Sequence, residues 1–247
     1  MTLYEKLYTQ GSWLFRWRSY LPLLILPVLL IALNESEFFE RVLGISDLFW
    51  EIFCLLLSFV GLAIRCLTIG YVPKGTSGRN TKNQIAEVLN TTGMYSIVRH
   101  PLYLGNFFIF LGIALFIQVW WFALICILTF VIYYERIILA EEEFLRAKYG
   151  VLFIEWAEKT PAFLPKFKNW QKPVLPFSFK NVLKSEYRTF FIISTSFPVL
   201  DSLEDLFAEG RFKIDIGWGM LFVFGTISCL LLRLLEKRTN LLHVEGR

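Results

Sequence analysis

Five long apolar runs separated by polar stretches set the pattern of the chain, at about Trp17–Leu33, Leu48–Val72, Leu102–Ile117, Val119–Ala140 and Ile216–Leu235. A helix needs about 20 residues to cross the hydrocarbon core, and fewer where the bilayer thins locally, so each run predicts a membrane helix. A sixth run, Thr189–Leu200, is only twelve residues long and reads as a short crossing, with five spans as the competing count. Little more than Gln118 separates the third run from the fourth, which predicts a tight antiparallel hairpin. Two polar stretches remain. Pro73–Gly93 is rich in Gly and Asn and reads as a connector with a helical turn or two around Gln84–Leu89. Glu141–Arg188 opens as a continuation of the fourth helix and then meets Pro161, Pro165, Pro173 and Pro176, which predicts an ordered cap along the membrane surface. The expected fold is all-α and polytopic, with five to six transmembrane helices, a tight helical hairpin and a cytoplasmic cap. It divides into N-terminal membrane helices (1–72), a core of loop, hairpin and cap (73–168), and C-terminal membrane segments with a tail (169–247).

Composition agrees with that pattern. Of 247 residues, 55% are hydrophobic and only 19% charged, with a mean hydropathy of +0.53, whereas a soluble domain spends about a quarter of its residues on charge. Disorder, a nucleic-acid-binding tail and a secreted disulfide scaffold are excluded on these grounds. Cys54, Cys66, Cys126 and Cys229 all lie in apolar stretches without a CxxC spacing, so they read as core or lipid-facing residues. The first apolar run follows Arg16 and Arg18 without a small-x-small cleavage site and reads as a signal anchor.

Charge placement orients the spans, because Lys and Arg concentrate on cytoplasmic loops. Residues 1–19 carry Lys6, Arg16 and Arg18 against Glu5, a net of +2, and residues 73–100 carry Lys74, Arg79, Lys82 and Arg99 against Glu87, a net of +3. Residues 34–47, with Glu35, Glu37, Glu40 and Asp47 against Arg41, net −3 and face outward. Counting Thr189–Leu200 as a crossing keeps Arg233, Lys237 and Arg238 inside and turns the acidic 201–215 segment outward. Both termini are then expected in the cytoplasm, in a bacterial inner membrane or the endoplasmic reticulum.

Ionisable groups next to apolar spans are expensive and therefore candidates for function. One cluster, with Arg99, His100 and Tyr103, sits at the entry to the third span. The other, Glu135, Arg136 and Glu141–Glu143, sits at the exit of the fourth. A short hairpin turn places those two ends side by side. Pro101 suits the first turn of a helix, and Gly105 admits a close neighbour. Carboxylates that accept from an ammonium, an aromatic ring for a purine and an arginine for an anion suit a charged, adenine-bearing cofactor.

These residues carry a family resemblance. RHPLYLG at 99–105 and EEEFLRAKYG at 141–150 resemble the RHPxYxG and EExxLxxxFG motifs of the integral-membrane methyltransferases that include isoprenylcysteine carboxyl methyltransferase and the phospholipid methyltransferases. The resemblance covers roughly residues 75–167, and TPAFLP, with Pro161 and Pro165, resembles the proline-bearing end of the family's cap. It implies a cytoplasmic pocket for S-adenosylmethionine built from the end of the fourth span and the cap, with a lipid or lipidated acceptor entering sideways from the bilayer. Carried over by position, His100, Tyr103, Leu104 and Gly105 would line the cofactor site. Glu141 and Glu142 match the paired glutamates, one of which would hold the cofactor's amino group, and Tyr149 and Gly150 match the FG step. Phe153 and Trp156 stand where the family often has tyrosines, which puts a hydroxyl contact there in doubt.

The reaction implied is direct methyl transfer to the polar group of an amphiphile. A carboxylate or phosphate acceptor, for example a prenylcysteine carboxylate or a lipid phosphate, needs a cation to orient it, for which Arg99 and Arg136 are the candidates. An amine acceptor, as in phospholipid N-methylation, would need a base such as Glu142. The basic loop tilts the reading toward an anion. Membrane sterol reductases, which resemble the C-terminal architecture and use NADPH, and a non-catalytic membrane module are the competing readings. Neither a metal nor a nucleic acid is expected.

Overall fold

A computed structural model describes residues 2–18, 20–36, 47–73, 86–244 and 246. Glu37, Glu40 and Arg41 of the acidic loop, and Lys74, Arg79 and Lys82 of the basic loop, lie outside the described residues. So do Gln84 and Ile85, while Ala86–Leu89, the rest of the expected helical turn, bends without forming one.

The described residues form a helical membrane protein. Helix α1 (Leu3–Trp17) starts on a capping box between Thr2 and Glu5, and a 3-10 turn (Leu21–Ile25) runs into α2 (Leu26–Leu33). Next come α3 (Asp47–Gly70), a single turn α4 (Met94–Ile97), α5 (Pro101–Phe116) and α6 (Trp120–Tyr149). The short α7 (Val151–Lys159) leads into the cap, and α8 (Phe179–Glu209) and α9 (Ile216–Arg238) complete the bundle. Leu48–Gly70, Trp120–Tyr149 and Ile216–Arg238 are long and apolar enough to cross a membrane, and Leu23–Leu33 and Pro101–Phe116 are shorter apolar helices.

The hairpin forms as its spacing predicts. Ile117–Val119 reverses the chain, with Gln118 at φ 60° as the one non-glycine residue of positive φ among those described. The twelve-residue crossing does not survive as a separate piece: Thr189–Leu200 is the middle of the continuous 31-residue helix α8. Apolarity marks only the centre of this helix, whose ends carry Lys184, Glu186, Arg188, Asp201 and Glu204. Pro198 sits inside without ending it.

At one end of the bundle α5, α6, α8 and α9 meet around Phe116, Phe122, Phe197 and Trp218, where the rings of Phe197 and Trp218 stack 5.7 Å apart. Burial of such rings provides most of the packing energy there. Along their length α3 and α5 are held together by small residues. A side chain at Gly61 would strike the Gly105 carbonyl, and one at Gly105 would strike Arg65 and the Gly61 carbonyl. Ser58 Oγ donates to the Ile109 carbonyl across this seam at 3.0 Å. Close approach through small residues is how helices associate in lipid, where no hydrophobic drive separates them from the solvent. Replacing Gly105 by Val should therefore force α3 and α5 apart and cost about 1–3 kcal/mol, the range for overpacking a filled site. Thermal unfolding in detergent, compared with Gly217→Val, where nothing lies within 4 Å, checks it.

Candidate functional site

At the opposite end, a cavity of about 440 Å³ opens between α1, α3, α5, α6, α8 and α9. Such a volume suits a cofactor-sized ligand, for which sites run about 300–1,000 Å³. Three local structures shape it.

The first is the turn at His100. Pro101 occupies the start of α5 and keeps His100 out of the helix, at φ −121° and ψ 62°. The imidazole stacks on Tyr103 at 5.6 Å and 13° between planes, and Tyr103 in turn packs on Tyr134 at 4.8 Å.

The second is α6, whose thirty residues extend about 45 Å and so outrun a hydrocarbon core of about 30 Å. Its final turns therefore carry charge. Periodicity divides them into faces. Tyr134, Glu141 and Leu145 look into the cavity. Arg136 and Glu143 instead face α1, where Arg136 Nε donates to Gln10 at 3.1 Å and Glu143 accepts from Tyr4. Glu142 faces the His100 turn. Its carboxylate accepts from Arg99 Nε at 2.7 Å and lies 2.9 Å from His100 Nε2.

The third is the cap. Gly150, at φ 55°, lets the chain break between α6 and α7. Main-chain bonds then stitch the following residues to the segment before α5: Arg99 N to the Pro161 carbonyl (2.9 Å), Lys166 N to the Ile97 carbonyl (2.9 Å) and Gly93 N to the Gln171 carbonyl (3.0 Å). Trp156 Nε1 donates to the Tyr95 carbonyl at 3.0 Å, and Tyr149 Oη to the Ala86 carbonyl at 2.7 Å. Trp156, one of the departures from the family pattern, thus contributes an indole wall. Burial raises the Tyr95 phenol well above its ordinary range, so it stays protonated.

Of the sequence-predicted residues, His100, Tyr103, Glu141 and Arg99 line the cavity, and Glu142 stands behind them. Arg99 is occupied. Besides Glu142, its guanidinium bonds the carbonyls of Ala157 (2.6 Å) and Thr160 (2.9 Å), which makes it a brace between the His100 turn, α6 and α7. Arg136, Leu104, Gly105 and Tyr149 do not line the cavity. Leu104 is buried beside Ile97 and Val98, Gly105 packs on α3, and Tyr149 holds the Ala86–Asn90 segment that forms one wall. Glu141 is different from all of these. Its Oε2 is buried and accepts no hydrogen bond from the described residues, with His100 Nδ1 still 3.7 Å away. A buried carboxylate oxygen of this kind calls for a donor from a ligand.

Other lining residues lay outside the sequence-predicted set. Arg65 of α3 is 12% exposed and is held by both oxygens of Glu186, at 2.7 and 2.8 Å, and by Asn106 Oδ1 at 2.6 Å; Asn106 Nδ2 then donates to Tyr134 Oη at 3.1 Å. Lys184 and Arg188 of α8 line the same side. The available signal was an arginine within an apolar span, which marks a buried polar site in lipid. No three His, Cys, Asp or Glu side chains among the described residues are grouped to hold a metal ion.

Two curated bacterial proteins resemble part of the chain. The cobalt-zinc-cadmium resistance protein CzcN of Cupriavidus metallidurans is 32% identical over 114 residues, 45% of this chain and 50% of that one. The nickel-cobalt-cadmium resistance protein NccN of Alcaligenes xylosoxydans xylosoxydans is 37% identical over 78 residues, 32% of this chain and 36% of that one. The chain thus spans half or less of the relatives it matches. No solved structure matches it. Residues 40–151, which contain the hairpin, the His100 turn and both glutamates of the site, match the phospholipid methyltransferase family.

Proposed function

We propose that the protein is a membrane methyltransferase that takes S-adenosylmethionine into this cavity and methylates the polar group of a lipid or lipid-like amphiphile. The observation that carries the reading is the unpartnered Glu141 oxygen, set in a cavity with Tyr95, Tyr103 and Trp156 on its walls. The fit to the cofactor is chemical. Glu141 would accept from its α-amino group, and the aromatic side chains offer faces for its purine. When bound, the cofactor supplies a sulfonium methyl group, already a strong electrophile. The chain's task is to align an acceptor with it and keep water away. Glu142 and Arg99 hold the His100 turn and the cap in register, so the walls around Glu141 do not collapse onto it.

The membrane arrangement that goes with this reading has six segments. Helix α8, about 46 Å long by its thirty-one residues, is one of them. The C-terminal ends of α3, α6 and α9 and the N-terminal ends of α5 and α8 then share the cytoplasmic side, as do both termini. All five ends contribute residues to the cavity.

The test is transfer itself. Purified protein incubated with methyl-labelled S-adenosylmethionine and a panel of lipids and lipidated amphiphiles should place label in the organic extract. Label confined to water-soluble products, or tight binding of NADPH with none of S-adenosylmethionine, would overturn the proposal.

A further inference from the structure

The strap that follows α7 carries a second surface, on the side turned away from the cavity. From Lys159 to Ser185 the chain holds six lysines, Lys159, Lys166, Lys168, Lys172, Lys180 and Lys184, and no acid. Lys184 lines the cavity, while the other five are exposed, and no ion pair among the described residues uses them. Large apolar side chains are interleaved with them: Leu164, Phe167, Trp170, Val174 and Phe179 are between 52% and 82% exposed. The polar groups beneath are all turned to the fold. Lys166 N donates to the Ile97 carbonyl, Gln171 N to Ser96 Oγ at 2.9 Å, Asn169 Nδ2 to the Lys159 carbonyl at 2.6 Å and Asn181 Nδ2 to the Ile69 carbonyl at 2.8 Å. An ordered backbone thus holds greasy and cationic side chains outward, and an apolar patch of this kind marks a contact surface.

Two attachments set the height of this surface on the bilayer. Ser178 N donates at 2.9 Å to the carbonyl of Gly70, the last residue of the span α3, and the Phe177 ring packs on Tyr71 at 5.1 Å. Ile97, which receives the Lys166 amide, ends α4 four residues before α5 begins at Pro101. The strap is therefore tied at both places to helices where they leave the hydrocarbon. We propose that it is an interfacial anchor for an anionic leaflet: Phe167, Trp170 and Phe179 enter the boundary between headgroups and acyl chains, and Lys166, Lys168, Lys172 and Lys180 bind the phosphates of anionic lipids. Aromatic rings favour that boundary, and clustered lysines beside a span draw anionic headgroups to it. A zwitterionic lipid would accept the rings equally well, yet it offers the lysines no net charge. Continuity with α3, α5 and α8 favours the bilayer over a protein as the occupant. This surface stands on the membrane fold, whatever the cavity binds.

Brominated lipids quench tryptophan on contact, so Trp170 can be read by difference between the wild-type chain and Trp170→Phe in nanodiscs. The discs hold phosphatidylcholine with equal fractions of either brominated phosphatidylglycerol or brominated phosphatidylcholine. Both should quench the Trp170 component, and the relative affinity there should favour the anionic lipid about fivefold or more, the factor one lysine contributes near an anionic surface. Combining Lys166→Gln, Lys168→Gln and Lys172→Gln should bring the two lipids to within about twofold, with an unchanged melting temperature because these side chains are exposed and unpaired. Raised salt should act on the wild type in the same direction, since exposed charges are screened. Equal quenching by the two lipids, or a preference that survives the triple variant, overturns the assignment. So does a Trp170 component that neither lipid reaches, the result expected of a strap that faces water or a protein.

Discussion

Glu141→Gln should lower affinity for S-adenosylmethionine by about a hundredfold while leaving the protein folded. A hydrogen bond to a charged group contributes about 1.5–3 kcal/mol, and the upper end applies where water is excluded, which converts to about a hundredfold. Because Glu141 Oε2 has no hydrogen-bond donor among the described residues, an amide of the same size disrupts no internal hydrogen bond to that oxygen. Glu142→Gln, one residue on, should behave in the opposite way. It removes the charge that holds Arg99 and His100, so loss of thermal stability should accompany any loss of affinity. Calorimetric titration and melting of both variants separate the two roles. Equal affinities for wild type and Glu141→Gln would show that this carboxylate does not hold the cofactor.

The largest effect on stability should come from the Arg65–Glu186 pair. Glu186 is 3% exposed and accepts with both oxygens from one edge of the guanidinium, Nε and Nη2. Truncating one partner of such a pair leaves a buried charge without compensation and costs about 3–5 kcal/mol. Glu186→Ala and Arg65→Ala should each lower the unfolding temperature sharply in detergent. The double substitution to Met at both positions should recover most of the loss, since an apolar pair of similar volume carries no desolvation cost. Additive losses in the double variant would show that the two side chains do not act as a unit.

Much of this geometry was legible beforehand. The hairpin followed from Gln118 standing alone between two apolar runs, and once the hairpin was placed, Arg99 and His100 had to approach Glu142 across 43 and 42 residues. The prolines after Thr160 announced the cap. Direction was harder to read than proximity. RHPLYLG enters helix α5 at Pro101, and from there each step rotates a side chain by about 100°, so Tyr103 reaches the cavity while Leu104 and Gly105 turn into the protein. The same rotation sends Arg136 to α1. The opposite wall was hidden for another reason: Arg65 and Glu186 are 121 residues apart, and no local pattern links the second apolar run to a helix whose apolar centre alone stands out. Local periodicity reports which face of a helix is greasy, not which distant residue completes its polar gap.

The stitching of the cap has a consequence for how such a protein can diverge. Pro161, Lys166 and Gln171 are tied to the residues before α5 through main-chain carbonyls, which every amino acid has, and amides, which all but proline have. Side chains along the strap can drift, or be redesigned to meet a new headgroup, without loosening the floor beneath them. A proline at 166 or 171, where the amide donates to the Ile97 carbonyl or to Ser96 Oγ, is the change that the architecture would not tolerate.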